Sequence, residues 1–290
     1  MWSRDTAADE EPGDPDMTLF DAFRFDGKRV LVVGGATGMG AAAAELAQSA
    51  GAEVVVADHA EVTLSGARAI HVNLADAASI DTTVDQLGGP VHALLLAAGV
   101  ADGTPGIERI NFIGHRYLID RLLAGGLLPR GSAIGFISSA AGLGWESDLP
   151  LLKEYLAITD FDEATKWAVD HGKADYMWSK RAVCAYVASQ AMPLLKQGVR
   201  INAICPGPTD TPLARANEDR WLGFGTDYRA EVGTEPATPL EQAYPLLFLC
   251  SDAASAVNGI TLTADSGYFS AGIAESFPPA TPVVKFLLGR

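Results

Sequence analysis

From Arg29 onward the chain alternates short, almost wholly apolar runs with longer segments whose apolar residues recur every three or four positions. "RVLVVGG" is a continuous apolar run ending in glycine, as expected of a parallel strand covered on both faces. The Ala-rich "GAAAAELAQSAGA" follows as a helix, with Gly51 placed to cap its C-terminus. The pattern then repeats. "EVVVAD" and "AIHVNL" read as the second and third strands, a helix lies near 76–87, and "VHALLLAAG" makes the fourth strand. A helix around 105–124 containing Asn111, the strand "SAIGFISS", a helix at about 174–196, the strand "VRINAICPG", a helix near 239–251 and the strand "GITLTADSG" complete the series. Strands alternating with helices throughout predict an α/β protein: one domain, residues 27–290, built on a doubly wound parallel sheet.

Two segments fall outside this rhythm. Residues 1–26 contain the acidic, proline-bearing "DTAADEEPGDPD" and are expected to be a disordered leader. Residues 142–173 interrupt the alternation and are predicted to form an ordered insertion of two short amphipathic helices. Asp148-Leu149-Pro150 supplies a cap and an early proline for the first, and Asp160 with Glu163 resembles a capping box for the second.

Composition narrows the functions available. A formal charge of −15 argues against a nucleic-acid surface, which needs clustered lysine and arginine, and against docking on anionic membranes. The three cysteines are widely spaced in apolar contexts, and the five histidines form no ligand pair at helical spacing, so neither a disulfide framework nor a metal site is expected. With no apolar run long enough to span a bilayer and no signal-peptide pattern at the N-terminus, the expected location is the cytoplasm.

The first strand–helix turn carries the first chemical signal. "VVGGATGMG" places Gly34, Gly38 and Gly40 where a tight turn brings backbone close to a pyrophosphate, and the following helix start offers free N–H groups to it. Asp58 ends the second strand, 18 residues after Gly40. A carboxylate there accepts both ribose hydroxyls of NAD and repels the extra phosphate of NADP, and no arginine stands beside it, so NAD is the expected cofactor.

The second signal is "ADYMWSKRAV", which sets Tyr176 and Lys180 one helical turn apart. Taken alone, the pair is as consistent with packing as with chemistry. With Gly34/Gly38/Gly40, Asn111, Ser139 and "CPGPTDTPL" in the same order, the chain resembles the short-chain dehydrogenase/reductase family over roughly residues 28–271. The resemblance implies a Rossmann-type fold and catalysis by Ser139, Tyr176, Lys180 and Asn111. Tyr176 would exchange the substrate proton, with Lys180 lowering its pKa and binding the nicotinamide ribose. Ser139 would hold the substrate oxygen, and Asn111 would maintain a water-linked proton relay. Ser138 would be structural. The implied cofactor contacts are Gly34, Thr37, Gly38, Met39, Gly40, Asp58, Asn73, Leu74, Ala98, Gly99, Tyr176, Lys180, Pro206, Gly207, Thr209 and Thr211.

The chain departs from the family pattern at Val33 in place of threonine, at Leu96-Ala97-Ala98-Gly99 in place of Asn-Asn-Ala-Gly, and at Asn73 in place of an acid. The largest departure is the insertion, which leaves Ser139 and Tyr176 37 positions apart. This feature, with the short second-to-third strand connection, looks most like the bacterial hydroxysteroid dehydrogenase/carbonyl reductase branch. The expected activity is therefore interconversion of a hydrophobic secondary alcohol and its ketone. A 3-oxoacyl thioester reductase and a non-catalytic NAD-binding sensor are the alternatives.

The insertion follows Ser139 directly and is expected to roof the site. Trp145, Leu149, Leu152, Tyr155, Leu156, Phe161 and Trp167 would either wall the substrate or pack the insertion's own helices. In the family the segment 213–231 is a mobile substrate loop, so Trp221, Leu222 and Phe224 would face the ligand. The apolar tail "SFPPATPVVKFLLGR" is expected to form a subunit interface in a homodimer or homotetramer.

Overall fold

The computed structural model describes residues 18–290. In chain order the elements are β1 (Arg29–Val33), α1 (Gly38–Ser49), β2 (Glu53–Asp58), β3 (Arg68–His71), α2 (Ala77–Gln86), β4 (Ala93–Leu96), α3 (Gly114–Ala124), β5 (Ala133–Ile137), α4 (Leu149–Ala157), α5 (Phe161–Asp170), α6 (Tyr176–Lys196), β6 (Arg200–Pro206), α7 (Pro212–Arg215), α8 (Glu218–Trp221), α9 (Thr226–Val232), α10 (Pro239–Cys250), β7 (Thr261–Ala264), α11 (Tyr268–Ile273) and α12 (Thr281–Leu287). The seven strands form one parallel sheet in the order β3-β2-β1-β4-β5-β6-β7, with Val32 of β1 registered against Val56 of β2 and Leu95 of β4. This is the doubly wound, Rossmann-type architecture read from the sequence.

Strand alternation divides the apolar residues between two cores. Leu31, Val33, Leu94 and Leu96 pack on one face with Phe112, Leu118 and Val183 from the α3/α6 side. Val30, Val32 and Leu95 pack on the other with Ala43, Ala47 and Leu246 from α1 and α10. Alanines along α1 allow it to lie close against α10. A reciprocal capping box starts α10. Thr238 Oγ1 accepts the Glu241 N–H at 3.3 Å, and Glu241 Oε2 accepts the Thr238 N–H at 2.7 Å. Thr238→Ala is expected to lower stability by about 1 kcal/mol, read as a lower urea midpoint at unchanged m-value.

The structure differs from the sequence reading at four places. The first 17 residues of the expected leader lie outside the described residues. Residues 18–26, assigned to the same leader, instead carry a single 3-10 turn at Asp21–Phe23 and a fully buried Phe25. Phe25 is an anchor for the α1 side of the core, so packing begins before residue 27.

Asp148 makes no capping bond to α4; it is drawn off to an ion pair with Arg181 of α6. The insertion does not roof the site through its aromatic residues. Tyr155 stacks on Trp167 with ring centres 5.0 Å apart and lies 5.7 Å from Phe112, so these side chains fill the space between the insertion and α6. Asp160, by contrast, does cap α5, accepting the N–H groups of Asp162 and Glu163.

The tail also packs on its own chain, which the sequence reading did not foresee, and leaves Phe286 exposed. Ala280, Val284 and Leu287 are buried, and Arg181 Nη2 donates to the Leu287 carbonyl at 2.8 Å. A charged α6 residue satisfies the end of α12, which holds the tail over the C-terminal edge of the sheet.

Candidate active site

The connection from β3 returns past β1 to β4, so the strand order reverses between β1 and β4. Crevices at such reversals, outside the carboxyl ends of the strands, are where open parallel sheets bind ligands. The β1–α1 turn lies there. A Cβ on Gly34, whose φ is +85°, would sit 2.3 Å from the Ala98 nitrogen, and one on Gly40 would sit 2.0 Å from the Gly34 carbonyl oxygen. Only glycine fits either position. Thr37 precedes α1 without a side-chain cap, so the helix start keeps N–H groups for an anion. The turn is locked onto β2 through Asp58: Ala36 N–H donates to one carboxylate oxygen at 2.8 Å and Ala60 N–H to the other at 2.9 Å.

On the opposite side of the crevice, Ser138-Ser139 follow the end of β5 and α6 begins at Tyr176. Ser138 is buried and its hydroxyl donates to the Lys180 carbonyl at 2.9 Å, a structural contact. Ser139 accepts the Ala141 N–H at 3.2 Å and lines the cavity with Tyr176 and Lys180. Lys180 is almost fully buried, donates from Nζ to the Ile137 carbonyl at 2.9 Å, and lies 5.5 Å from the centre of the Tyr176 ring.

Burial sets the proton affinities here. It pushes the Tyr176 phenol up to about 12, with hydrogen bonding from Ser139 opposing the rise and Asp102 adding to it. Burial likewise pushes Lys180 down to about 8. Lys180 is turned to a carbonyl rather than to the phenol, so the protein's own groups keep Tyr176 protonated at neutral pH. Among the protein's own groups, desolvation dominates the Tyr176 phenol, and Lys180, bonded to the Ile137 carbonyl, does not offset it.

Asn111 sits in a π-helical turn, Arg109–Ile113, that leads into α3. Its Oδ1 accepts the Val100 N–H at 2.8 Å and its Nδ2 donates to the Val100 carbonyl at 3.0 Å, which clamps the chain just beyond β4. A Cβ on Gly99 would lie 3.5 Å from Asn111 Oδ1 and 3.6 Å from Lys180 Nζ, in ordinary contact with both, so Gly99 sits at the junction of these two side chains. His115, a residue the motifs did not single out, braces the same strand end by donating from Nε2 to the Ala98 carbonyl at 3.0 Å. Burial pushes it down to about 4, so it works as a neutral imidazole.

A cavity of about 420 Å³ gathers Met39, Gly99, Ser139, Tyr176, Lys180, Pro206, Gly207, Thr209 and Thr211. Gly34, Thr37, Gly38, Gly40, Asp58, Asn73, Leu74 and Ala98 lie outside its lining, along the carboxyl ends of β1 to β4. Of these, Asn73 spends its Oδ1 on the Ala75 N–H at 3.1 Å. From the loop segment, Trp221 and Phe224 reach the cavity, and Trp221 packs on the Tyr176 ring at 5.0 Å between centres. Leu222 is not in the lining. The unforeseen part of the wall is the tail, which contributes Val283, Phe286 and Leu287.

The chain is similar to known proteins over most of its length. A family model described as "Enoyl-(Acyl carrier protein) reductase" matches residues 155–269. The 3-alpha-hydroxysteroid dehydrogenase/carbonyl reductase of Comamonas testosteroni is 31% identical, over 82% of this chain and 95% of its own length. The coniferyl-alcohol dehydrogenase of a Pseudomonas strain is 29% identical, over 84% of this chain and 97% of its own. The crystal structure of a Pseudomonas 3-alpha-hydroxysteroid dehydrogenase complexed with NADH superposes with a TM-score of 0.70 at 25% identity, covering 86% of this chain and 99% of that one. The chain belongs to the short-chain dehydrogenase/reductase family. It is an oxidoreductase of that family, whose dehydrogenases use nicotinamide cofactors.

Proposed function

We propose that this protein is an NAD-dependent dehydrogenase that interconverts a hydrophobic secondary alcohol and its ketone. The observation that carries the reading is the convergence of Ser139, Tyr176 and Lys180 on one largely apolar cavity that begins beside the glycine turn. The three turn glycines, the open start of α1 and the anchored Asp58 carboxylate fit a dinucleotide. Ala36, Ala60 and Asp58 present to its adenosine ribose an acid that is already held in place. Pro206, Gly207, Thr209 and Thr211 would flank the nicotinamide end.

When bound, the cofactor supplies the acceptor for the hydride that leaves the carbinol carbon. Tyr176 takes the hydroxyl proton in oxidation and returns it in reduction. Ser139 hydrogen-bonds the substrate oxygen and holds it against Tyr176, while the Lys180 ammonium stabilises the phenolate as it forms. Asn111 acts behind Lys180 by fixing the Val100 segment. Trp221 and Phe224 with Val283, Phe286 and Leu287 exclude water and favour a ring-bearing substrate, in keeping with relatives named for hydroxysteroids and coniferyl alcohol.

The reading extends to residence in the cytoplasm, supported by three free cysteines, and to a homodimer or homotetramer, supported by exposed Met192, Leu195 and Tyr244.

Reduction of NAD followed at 340 nm with hydroxysteroids, aryl alcohols and 3-hydroxyacyl thioesters tests the substrate class. Turnover confined to the thioesters would replace the alcohol reading. Cofactor choice has its own test. Asp58→Ala is expected to weaken NAD binding about tenfold and to admit NADP, because two ribose hydrogen bonds and the repulsion of a phosphate are lost together. Fluorescence titration with both dinucleotides measures it.

A further inference from the structure

The loop after β4 carries a carboxylate that the family motifs did not mark. Asp102 Oδ1 accepts the N–H of Tyr176, the first residue of α6, at 2.7 Å. Its Oδ2 lies 3.8 Å from Arg220 Nη2 on α8. Both side chains border the cavity, and Trp221, beside Arg220, rests on the Tyr176 ring. The opening N–H groups of a helix have no partner within it, and two acids share them here. Asp175 takes the N–H of Trp178 at 2.8 Å, and Asp102 reaches from a loop 74 positions away to take that of Tyr176 itself.

We propose that Asp102 is a positioning residue for the reaction: it pins the first turn of α6 so that the Tyr176 hydroxyl faces the substrate, and it places a negative charge, tempered by Arg220, beside that residue. This rests on Tyr176 being the acid/base. The groups facing Tyr176 are Lys180 one turn along α6, Asp175 at its cap, Ser139 at the end of β5, Cys205 on β6, Asp102, and Arg220 from α8. Asp102 is the acid among them bonded to the backbone of Tyr176. A helix start needing only an acceptor would be served by water, since the Asp102 side chain is 43% exposed; the carboxylate adds a fixed direction and a charge.

Asparagine separates these contributions, because it keeps an acceptor oxygen without the charge. In alcohol oxidation, Asp102→Asn is expected to move the rise of kcat to lower pH by about one unit with little loss at the plateau. Arg220→Gln, which uncovers the Asp102 charge, moves it the other way. Asp102→Ala loses the anchor too and is expected to cut kcat by about tenfold or more without raising the KM for NAD, and Asp102→Glu restores most of it.

The Cζ resonance of Tyr176 in protein labelled with ¹³C-tyrosine, assigned by its absence in Tyr176→Phe, reads the same proton without turnover. Earlier titration of that resonance in Asp102→Asn supports the assignment. Titration curves that coincide with wild type, or an Asp102→Ala enzyme with unchanged kcat and pH profile, would overturn it. An inactive wild type would count against the alcohol reading alone, with the resonance still deciding on Asp102.

Discussion

Tyr176→Phe is expected to slow alcohol oxidation by about 10³-fold, the usual worth of a positioned acid/base, while NAD still binds. Phenylalanine keeps the ring against Trp221 and loses only the hydroxyl, so a fall in turnover would report proton transfer rather than collapse of the wall. The pH dependence has a definite sign. Oxidation needs the phenolate to receive a proton, so the wild-type rate should climb as pH rises toward the Tyr176 pKa, which burial has pushed up to about 12. Reduction needs the phenol and should hold steady below that pKa, declining only as pH rises through it. The positive charge of a bound oxidised nicotinamide, with Lys180, acts against the desolvation and should bring the rise to lower pH. Rates of both directions from pH 6 to 10, with and without the hydroxyl, test the assignment.

Gly40→Ala is expected to be a severely damaging single-methyl change at the cofactor turn. The added Cβ would lie 2.0 Å from the Gly34 carbonyl oxygen and 3.0 Å from Ala97 Cβ, and the first of these is backbone that no rotamer change can move aside. Helix α1 must back away from β1, with an overpacking cost of about 1–3 kcal/mol. The same shift spoils the phosphate cradle, so NAD affinity should fall by at least about tenfold, equivalent to about 1.4 kcal/mol. Calorimetry for binding and denaturant unfolding for stability separate the two losses. Unchanged affinity would mean that the dinucleotide does not lie on this turn.

Much of the architecture was legible because parallel strands covered on both faces must be apolar, and β4, β5 and β1 beyond Arg29 are. The candidate site was legible where its spacing is local: three glycines in one turn, and Tyr176 with Lys180 on one helix face. What the sequence left open was which partner each apolar face would choose. The insertion's aromatic side chains suited a substrate wall or, more readily, a packed seam, and Phe112 and Trp178 on neighbouring elements decided for the seam. The tail reads from the sequence only as an apolar surface for a neighbouring subunit; its packing beside the cavity was not legible, because it depends on Arg181 reaching the Leu287 carbonyl across 106 positions. Asp102 was hidden for the same reason, since its partners come from two distant segments.

The most direct test of the central claim is the initial rate of NADH formation at 340 nm. Purified wild-type protein and Tyr176→Phe would be assayed side by side on a panel of cyclic and aryl secondary alcohols. NAD-dependent turnover by the wild type that is lost in the variant, with equal NAD affinity in both, is the expected result. Equal turnover in the two proteins, or tight NAD binding by a wild type that oxidises no alcohol, would contradict it.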